Sequence, residues 1–131
     1  MSVVVDASVL VAATTDAGAA GAWAERVVAE GDILAPHLVL AEAVNILRRL
    51  ERQRDLTTLE ASAAHRDLLD LDLLLVAFEP FAARVWELRR TITSYDAWYV
   101  AVAEAFTVPL ATLDRRLSRA SGPRCRFLLP A

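Results

Sequence analysis

Four acidic residues stand where a carboxylate is expensive to place. Asp6 ends the wholly apolar run Val3-Val4-Val5, and Glu42 interrupts Leu38-Val39-Leu40-Ala41-Glu42-Ala43-Val44-Asn45-Ile46-Leu47. Asp96 lies among Tyr95, Ala97, Trp98, Tyr99 and Val100, and Asp114 follows Ala111-Thr112-Leu113. Carboxylates gathered at one spot repel, and some must take up protons or bind a cation. Their hard oxygens suit Mg²⁺ or Mn²⁺, which keep several waters and are held by a few carboxylates together with substrate phosphate. An ion held in this way lowers the pKa of a bound water and neutralises charge on a departing oxygen, which is the chemistry of phosphodiester hydrolysis.

Each acid also has a structural explanation. Asp6, or Ser8 behind it, caps the next helix. Asp96 satisfies helix amides and the helix dipole, and Asp114 caps the turn carrying Arg115 and Arg116. Glu42 pairs poorly with Arg48 or Arg49, because i,i+4 spacing would need a basic residue at position 46. Singly these explanations compete evenly with the functional one. Four such acids in apolar settings, in a chain whose 14 basic residues are all arginine, ask for a common cause. The lack of lysine also excludes a P-loop lysine, a Schiff-base lysine and the lysine of a phospho-receiver domain.

The elements that must position these acids follow from hydrophobic period and breakers. Residues 3–5 read as a strand buried on both faces, with Ser8 placed to cap a short helix. Ala22–Glu30 has helical spacing after interruptions at Gly18 and Gly21, and Asp32–Ala35 is a second strand stopped by Pro36. Residues 37–53 form a long helix with Leu38, Ala41, Ile46, Leu47 and Leu50 inward. Thr57 or Thr58 caps a helix to about Leu71, and Glu60 three residues after Thr57 would complete a capping box. Asp72–Phe78 is a third strand, and Pro80 opens a helix of about ten residues that ends near Arg89 and Arg90. Ser94 caps a helix from Tyr95 to Phe106. Val108–Thr112 is a fourth strand, 114–117 a turn of helix, and Arg126–Leu129 a fifth strand.

Strands alternating with helices imply an α/β protein with a parallel sheet covered on both faces. In such sheets ligands bind beyond the carboxyl ends of the strands. Asp6 and Asp114 both follow strands and so share that edge.

Composition narrows the classes further. With 131 residues the chain reads as one domain, 1–131. No apolar run approaches the roughly 18 residues of a membrane span and no signal-peptide pattern is visible, so a cytoplasmic location is expected. The single Cys125 permits no internal disulfide and lacks zinc-site spacing, so it reads as a buried thiol in the last strand. His37 and His65 read as helix-start or helix-surface residues. The net charge of −3 offers no global basic field for nucleic acid, leaving local patches to supply one.

The segments Val-Val-Asp6-Ala-Ser8-Val-Leu, Leu40-Ala-Glu42-Ala-Val-Asn45-Ile-Leu, Ser94-Tyr95-Asp96-Ala97-Trp98-Tyr99 and Leu110-Ala-Thr112-Leu-Asp114-Arg-Arg-Leu together resemble PIN-domain ribonucleases. They resemble most the VapC-type toxins of bacterial toxin–antitoxin pairs, over nearly the whole chain. The resemblance implies a three-layer α/β/α sandwich around a five-stranded parallel sheet and an endoribonuclease using Mg²⁺ or Mn²⁺. Asp6, Glu42 and Asp96 match the family's principal metal-site acids, and Asp114 matches a fourth that acts through water. Ser8 and Thr112 match small hydroxyl residues that orient a carboxylate or a water, and Asn45 matches a polar neighbour. Also implied are a homodimer, a VapB-type antitoxin that blocks the site, and structured RNA such as tRNA or ribosomal RNA as substrate. Phosphate contact falls to arginines, with Arg48, Arg49, Arg115, Arg116 and Arg119 as candidates.

Other readings remain beside this one. The same scaffold serves as a housekeeping RNA-processing nuclease or as a non-catalytic binding module. A phosphatase with Asp6 as nucleophile, of the haloacid-dehalogenase type, would need an acid where Ser8 stands and a lysine this chain lacks. Tyr95, Trp98 and Tyr99 offer base-stacking surfaces, although aromatics opening a buried helix more often belong to a core or an interface.

Overall fold

A computed structural model describes residues 1–131. The chain forms β1 (Ser2–Val5), α1 (Ala7–Thr15), α2 (Ala19–Ala29), β2 (Asp32–Pro36), α3 (Val39–Arg52), α4 (Thr58–Asp70) and β3 (Leu73–Val76). A 3-10 turn (Glu79–Phe81) leads into α5 (Ala82–Glu87), followed by α6 (Ser94–Phe106), β4 (Leu110–Ala111), α7 (Arg115–Ser118) and β5 (Phe127–Leu128). All strand pairings are parallel, in the order β3-β2-β1-β4-β5. α1 to α4 pack on one another as one layer, and α5 and α6 form the other, with α6 directly against β1, β2 and β4. This is the α/β/α sandwich with five parallel strands that the family resemblance implied.

The first strand became the centre because it can be buried on both faces. Val4 and Val5 are fully buried, as β-branched residues with no polar edge should be. From β1 the chain builds outward to β2 and β3, then returns to the other side of β1 for β4 and β5. The sheet therefore changes direction between β1 and β4, which is the place where open α/β sheets bind ligands.

Several boundaries differ from expectation. Gly21 does not interrupt a helix but lies inside α2, which starts at Ala19 under an N-cap at Gly18. A Cβ at Gly21 would stand 1.8 Å from the Asp16 carbonyl oxygen, so glycine lets the start of α2 close onto the end of α1. In α3 the inward face is Val39, Ala43 and Leu47, with Ile46 and Leu50 beside it. Ala41 is exposed and Leu38 only half-buried, so the first turn differs from expectation while Ile46, Leu47 and Leu50 face inward as read. The segment after Pro80 is a 3-10 turn and a short helix that ends at Glu87, before the arginine pair. Thr93, not Ser94, caps α6, its Oγ1 accepting from the Asp96 N–H at 3.1 Å. The Thr57–Glu60 capping box is present as read. Cys125 is half-buried and precedes β5, and burial pushes its thiol up to about 11. His37 and His65 are both exposed.

Candidate metal centre

All four acids stand at or just inside a helix N-terminus on the carboxyl edge of the sheet. Asp6 is the N-cap of α1, Glu42 lies in the first turn of α3, Asp96 in the first turn of α6, and Asp114 is the N-cap of α7. Strand-to-helix connections put Asp6, Glu42 and Asp114 there, and the turn between α5 and α6 brings in Asp96. The positive ends of the helix dipoles partly offset their mutual repulsion.

Asp6 is the most firmly held. Val5 lies opposite Ala111 in the β1–β4 register, so Asp6 falls opposite Thr112. The Thr112 hydroxyl, fully buried, donates to Asp6 Oδ2, while the Ser8 hydroxyl donates to Oδ1 at 2.5 Å and the Val9 N–H at 3.2 Å. Ser8 Oγ in turn accepts from the Leu113 N–H at 3.2 Å, and Thr112 Oγ1 accepts from the Asp114 N–H at 3.0 Å. Ser8 and Thr112 thus lock the end of β1 to the loop after β4 and fix the direction of the Asp6 carboxylate. Capping and site-building are compatible here, since the Asp6 group does both.

Glu42 pairs with neither Arg48 nor Arg49. The Tyr99 hydroxyl donates to its Oε1 at 2.5 Å, reaching from α6 in one layer to α3 in the other. Tyr99 is buried, and its phenol is pushed far up by burial and by the Glu42 carboxylate, so it stays a donor. The sequence placed Tyr99 among core or stacking aromatics. Its place three residues after Asp96 carried no sign of this partner. Asn45 is exposed and makes no side-chain hydrogen bond. Asp114 uses Oδ1 to cap α7, accepting from Arg116 and Leu117 N–H groups at 2.9 and 3.1 Å, and is otherwise exposed.

Electrostatics tie the four together. Burial raises the Asp6 carboxyl above its ordinary value, against the lowering effect of its hydrogen bonds to Ser8, Thr112 and Val9. Asp96 is likewise raised, first by burial and then by the charges of Asp114, Asp6 and Glu42. No arginine counters them: both ion pairs in the molecule are made by Arg84, elsewhere. No three of the acids close on one point as a ready-made cage. The donor set nevertheless fits a hydrated Mg²⁺ or Mn²⁺, an ion that takes one or two carboxylates directly and reaches others through its waters. Asp96 and Asp114 face a cleft of about 700 Å³ that also carries Arg90 and Arg116.

Comparison with known proteins agrees with this geometry. The PIN domain family model matches residues 3–123. The chain belongs to the PIN-domain family. Ribonuclease VapC1 of Mycobacterium tuberculosis is 38% identical to this PIN domain over 130 residues, covering 96% of both chains, which places it with the VapC-type toxins. Among solved structures, VapC20 of Mycobacterium tuberculosis, described as a sarcin-ricin loop cleaving toxin, superposes with a TM-score of 0.64 at 21% identity, over 88% of this chain and 92% of that one. VapBC2 of Rickettsia felis, bound to a promoter DNA fragment, gives a TM-score of 0.67 at 16% identity over the whole of both chains. Both structures share the fold of this PIN domain. No helix in it is long and apolar enough to cross a membrane.

Proposed function

We propose that this protein is a divalent-metal-dependent endoribonuclease, the toxin of a type II toxin–antitoxin pair. The observation that carries the reading is Asp96. Its carboxylate stands at the sheet's switch point, is raised by burial and then by three other acids, and makes no ion pair within the chain. Asp6, Glu42, Asp96 and Asp114 would hold Mg²⁺ or Mn²⁺, with Ser8 and Thr112 fixing Asp6, and Tyr99 fixing Glu42. Bound there, the ion supplies Lewis acidity, acidifying water and offsetting charge on phosphate oxygens. Asp96 and Asp114 present oxygens to the cleft in which the substrate phosphate sits. Asp6, the most buried of the four, keeps its orientation through three donors, so the geometry is set before substrate arrives.

The likeness to VapC ribonucleases supports RNA as substrate, with structured RNA such as tRNA or ribosomal RNA as its class. It also supports a cognate VapB-type antitoxin as inhibitor, a homodimer as working assembly and the cytoplasm as location. The test is cleavage of total cellular RNA by purified protein. We expect cleavage with Mg²⁺ or Mn²⁺, none with EDTA, and none by Asp96→Asn, with growth arrest on expression of the wild type alone. Equal cleavage in EDTA, or by Asp96→Asn, overturns the assignment.

A further inference from the structure

The cleft in front of Asp96 and Asp114 has a second wall of opposite charge. Arg89 and Arg90 reach it from the turn between α5 and α6, and Arg116 reaches it from α7. Anions and cations sharing one hollow would ordinarily collapse into ion pairs, yet none forms between these walls. The backbone accounts for part of this: Asp114 commits Oδ1 to the Arg116 and Leu117 N–H groups. Arg89 is fixed differently, stacked over the Trp86 ring at 4.2 Å and donating to the Trp86 carbonyl at 2.8 Å. The guanidiniums of Arg90 and Arg116 donate no hydrogen bond within the chain, so they are free for a ligand.

We propose that Arg90 and Arg116, with Arg89 beside them, bind an RNA backbone phosphate neighbouring the one that is cleaved. The strand then crosses from the α5–α6 turn to α7 and passes over Asp96. This rests on the ribonuclease reading and names the residues that hold its substrate. A guanidinium matches a phosphate bidentately, and two from separate elements fix the direction of the strand as well as its affinity. The sequence offered Arg116 among five candidates, with Arg48, Arg49, Arg115 and Arg119, and did not include Arg90. Of these, Arg48 lines a groove between α3 and α4 with Glu51 and His65, and Arg115 donates to the Pro130 carbonyl at 2.8 Å. Arg89 and Arg90 passed there as cations ending a helix, because nothing in the chain order shows that the turn after α5 folds against α7.

The test is the salt dependence of RNA binding, read by fluorescence anisotropy on a labelled single-stranded RNA of mixed sequence, in EDTA to prevent cleavage. Each phosphate contact released from a single strand removes about 0.7 from the slope of log affinity against log salt. Because both guanidiniums meet one phosphate, the double variant should lower the slope by about that amount, and Arg90→Ala or Arg116→Ala alone by no more than it. Arg48→Ala should leave the slope unchanged. In Mg²⁺ the double variant should lose kcat/KM in step with its affinity. A double variant that binds and cleaves as the wild type does overturns the arginine assignment while leaving the ribonuclease reading intact. A wild type that neither binds nor cleaves RNA removes both.

Discussion

The two ends of α6 hold two carboxylates with opposite fates. Near its C-terminus, Glu104 receives Arg84 through two nitrogens at 2.7 and 3.1 Å and the Arg124 N–H at 2.7 Å. Burial alone would raise it, but Arg84 and the Arg124 amide outweigh burial and hold it below its ordinary 4.5. Arg84 also donates to the Gly122 carbonyl at 2.9 Å, so this end ties the irregular segment before β5 to the helix. At the other end Asp96 makes no ion pair and is raised, first by burial and then by the charges of Asp114, Asp6 and Glu42. An acid that serves the fold is given its cation within the chain. An acid left in repulsion beside a cleft is waiting for a cation from outside.

The sharpest way to break this contrast is to neutralise each end. Asp6→Asn or Asp96→Asn should lower RNA cleavage by more than the roughly 100-fold at which changes to outer-shell partners of a metal site level off. Circular dichroism should show the fold intact. Without metal, Asp96→Asn should also melt higher than the wild type, and Mg²⁺ should no longer raise its melting temperature. In the wild type, Mg²⁺ at a hundred times its Kd adds about 2.7 kcal/mol.

Next in size is Thr112→Val, which removes a donor from Asp6 and strands the Asp114 N–H. A buried group left unpaired costs about 1–3 kcal/mol, and the loss of a donor raises Asp6 further. The acidic limb of the pH–activity profile should move to higher pH, a shift that a purely structural role would not produce. Tyr99→Phe keeps the ring in the core but frees Glu42, and should cost about 10–100-fold in activity with little change in melting. A Tyr99→Phe variant with full activity would show that Glu42 needs no holding.

Smallest for function is Glu104→Gln. It should cost about 1–3 kcal/mol of stability through weakened charged hydrogen bonds and leave activity per folded molecule unchanged. The pH dependence of the two variants then completes the contrast. Glu104 is lowered in the fold, so its stabilisation is present at neutral pH and fades as pH falls through its folded value below 4.5. Asp96 is raised, so its destabilisation in metal-free protein grows as pH climbs from its ordinary 3.8 through its folded value. Urea melts of wild type and variants from neutral to acid pH should converge at low pH from opposite sides. Convergence from the same side would refute the contrast.

Much of this was readable in the residues. Val3-Val4-Val5 and the alternation of strands and helices led to the parallel sheet, because a wholly apolar strand has few other homes. Asp6, Glu42, Asp96 and Asp114 announced themselves by their apolar company. What the sequence concealed were partners set by the packing of layers. Tyr99 meets Glu42 because α6 and α3 lie on opposite faces and meet at the same edge, and Arg90 meets the cleft because a turn folds back. Local signals also competed at close range: Thr93 and Ser94 are both good caps, and only the geometry of the turn selects the first.

The bond from Thr112 to Asp6 joins residues 106 positions apart in the chain. A ribosome must therefore synthesise most of the polypeptide before the carboxylate pocket can assemble, and any fragment ending upstream of that threonine lacks both the bond and the strand that carries it. Premature termination disarms the product whatever its length up to that point. For a protein whose activity would harm the cell that makes it, translation that stops short of that threonine yields no armed product.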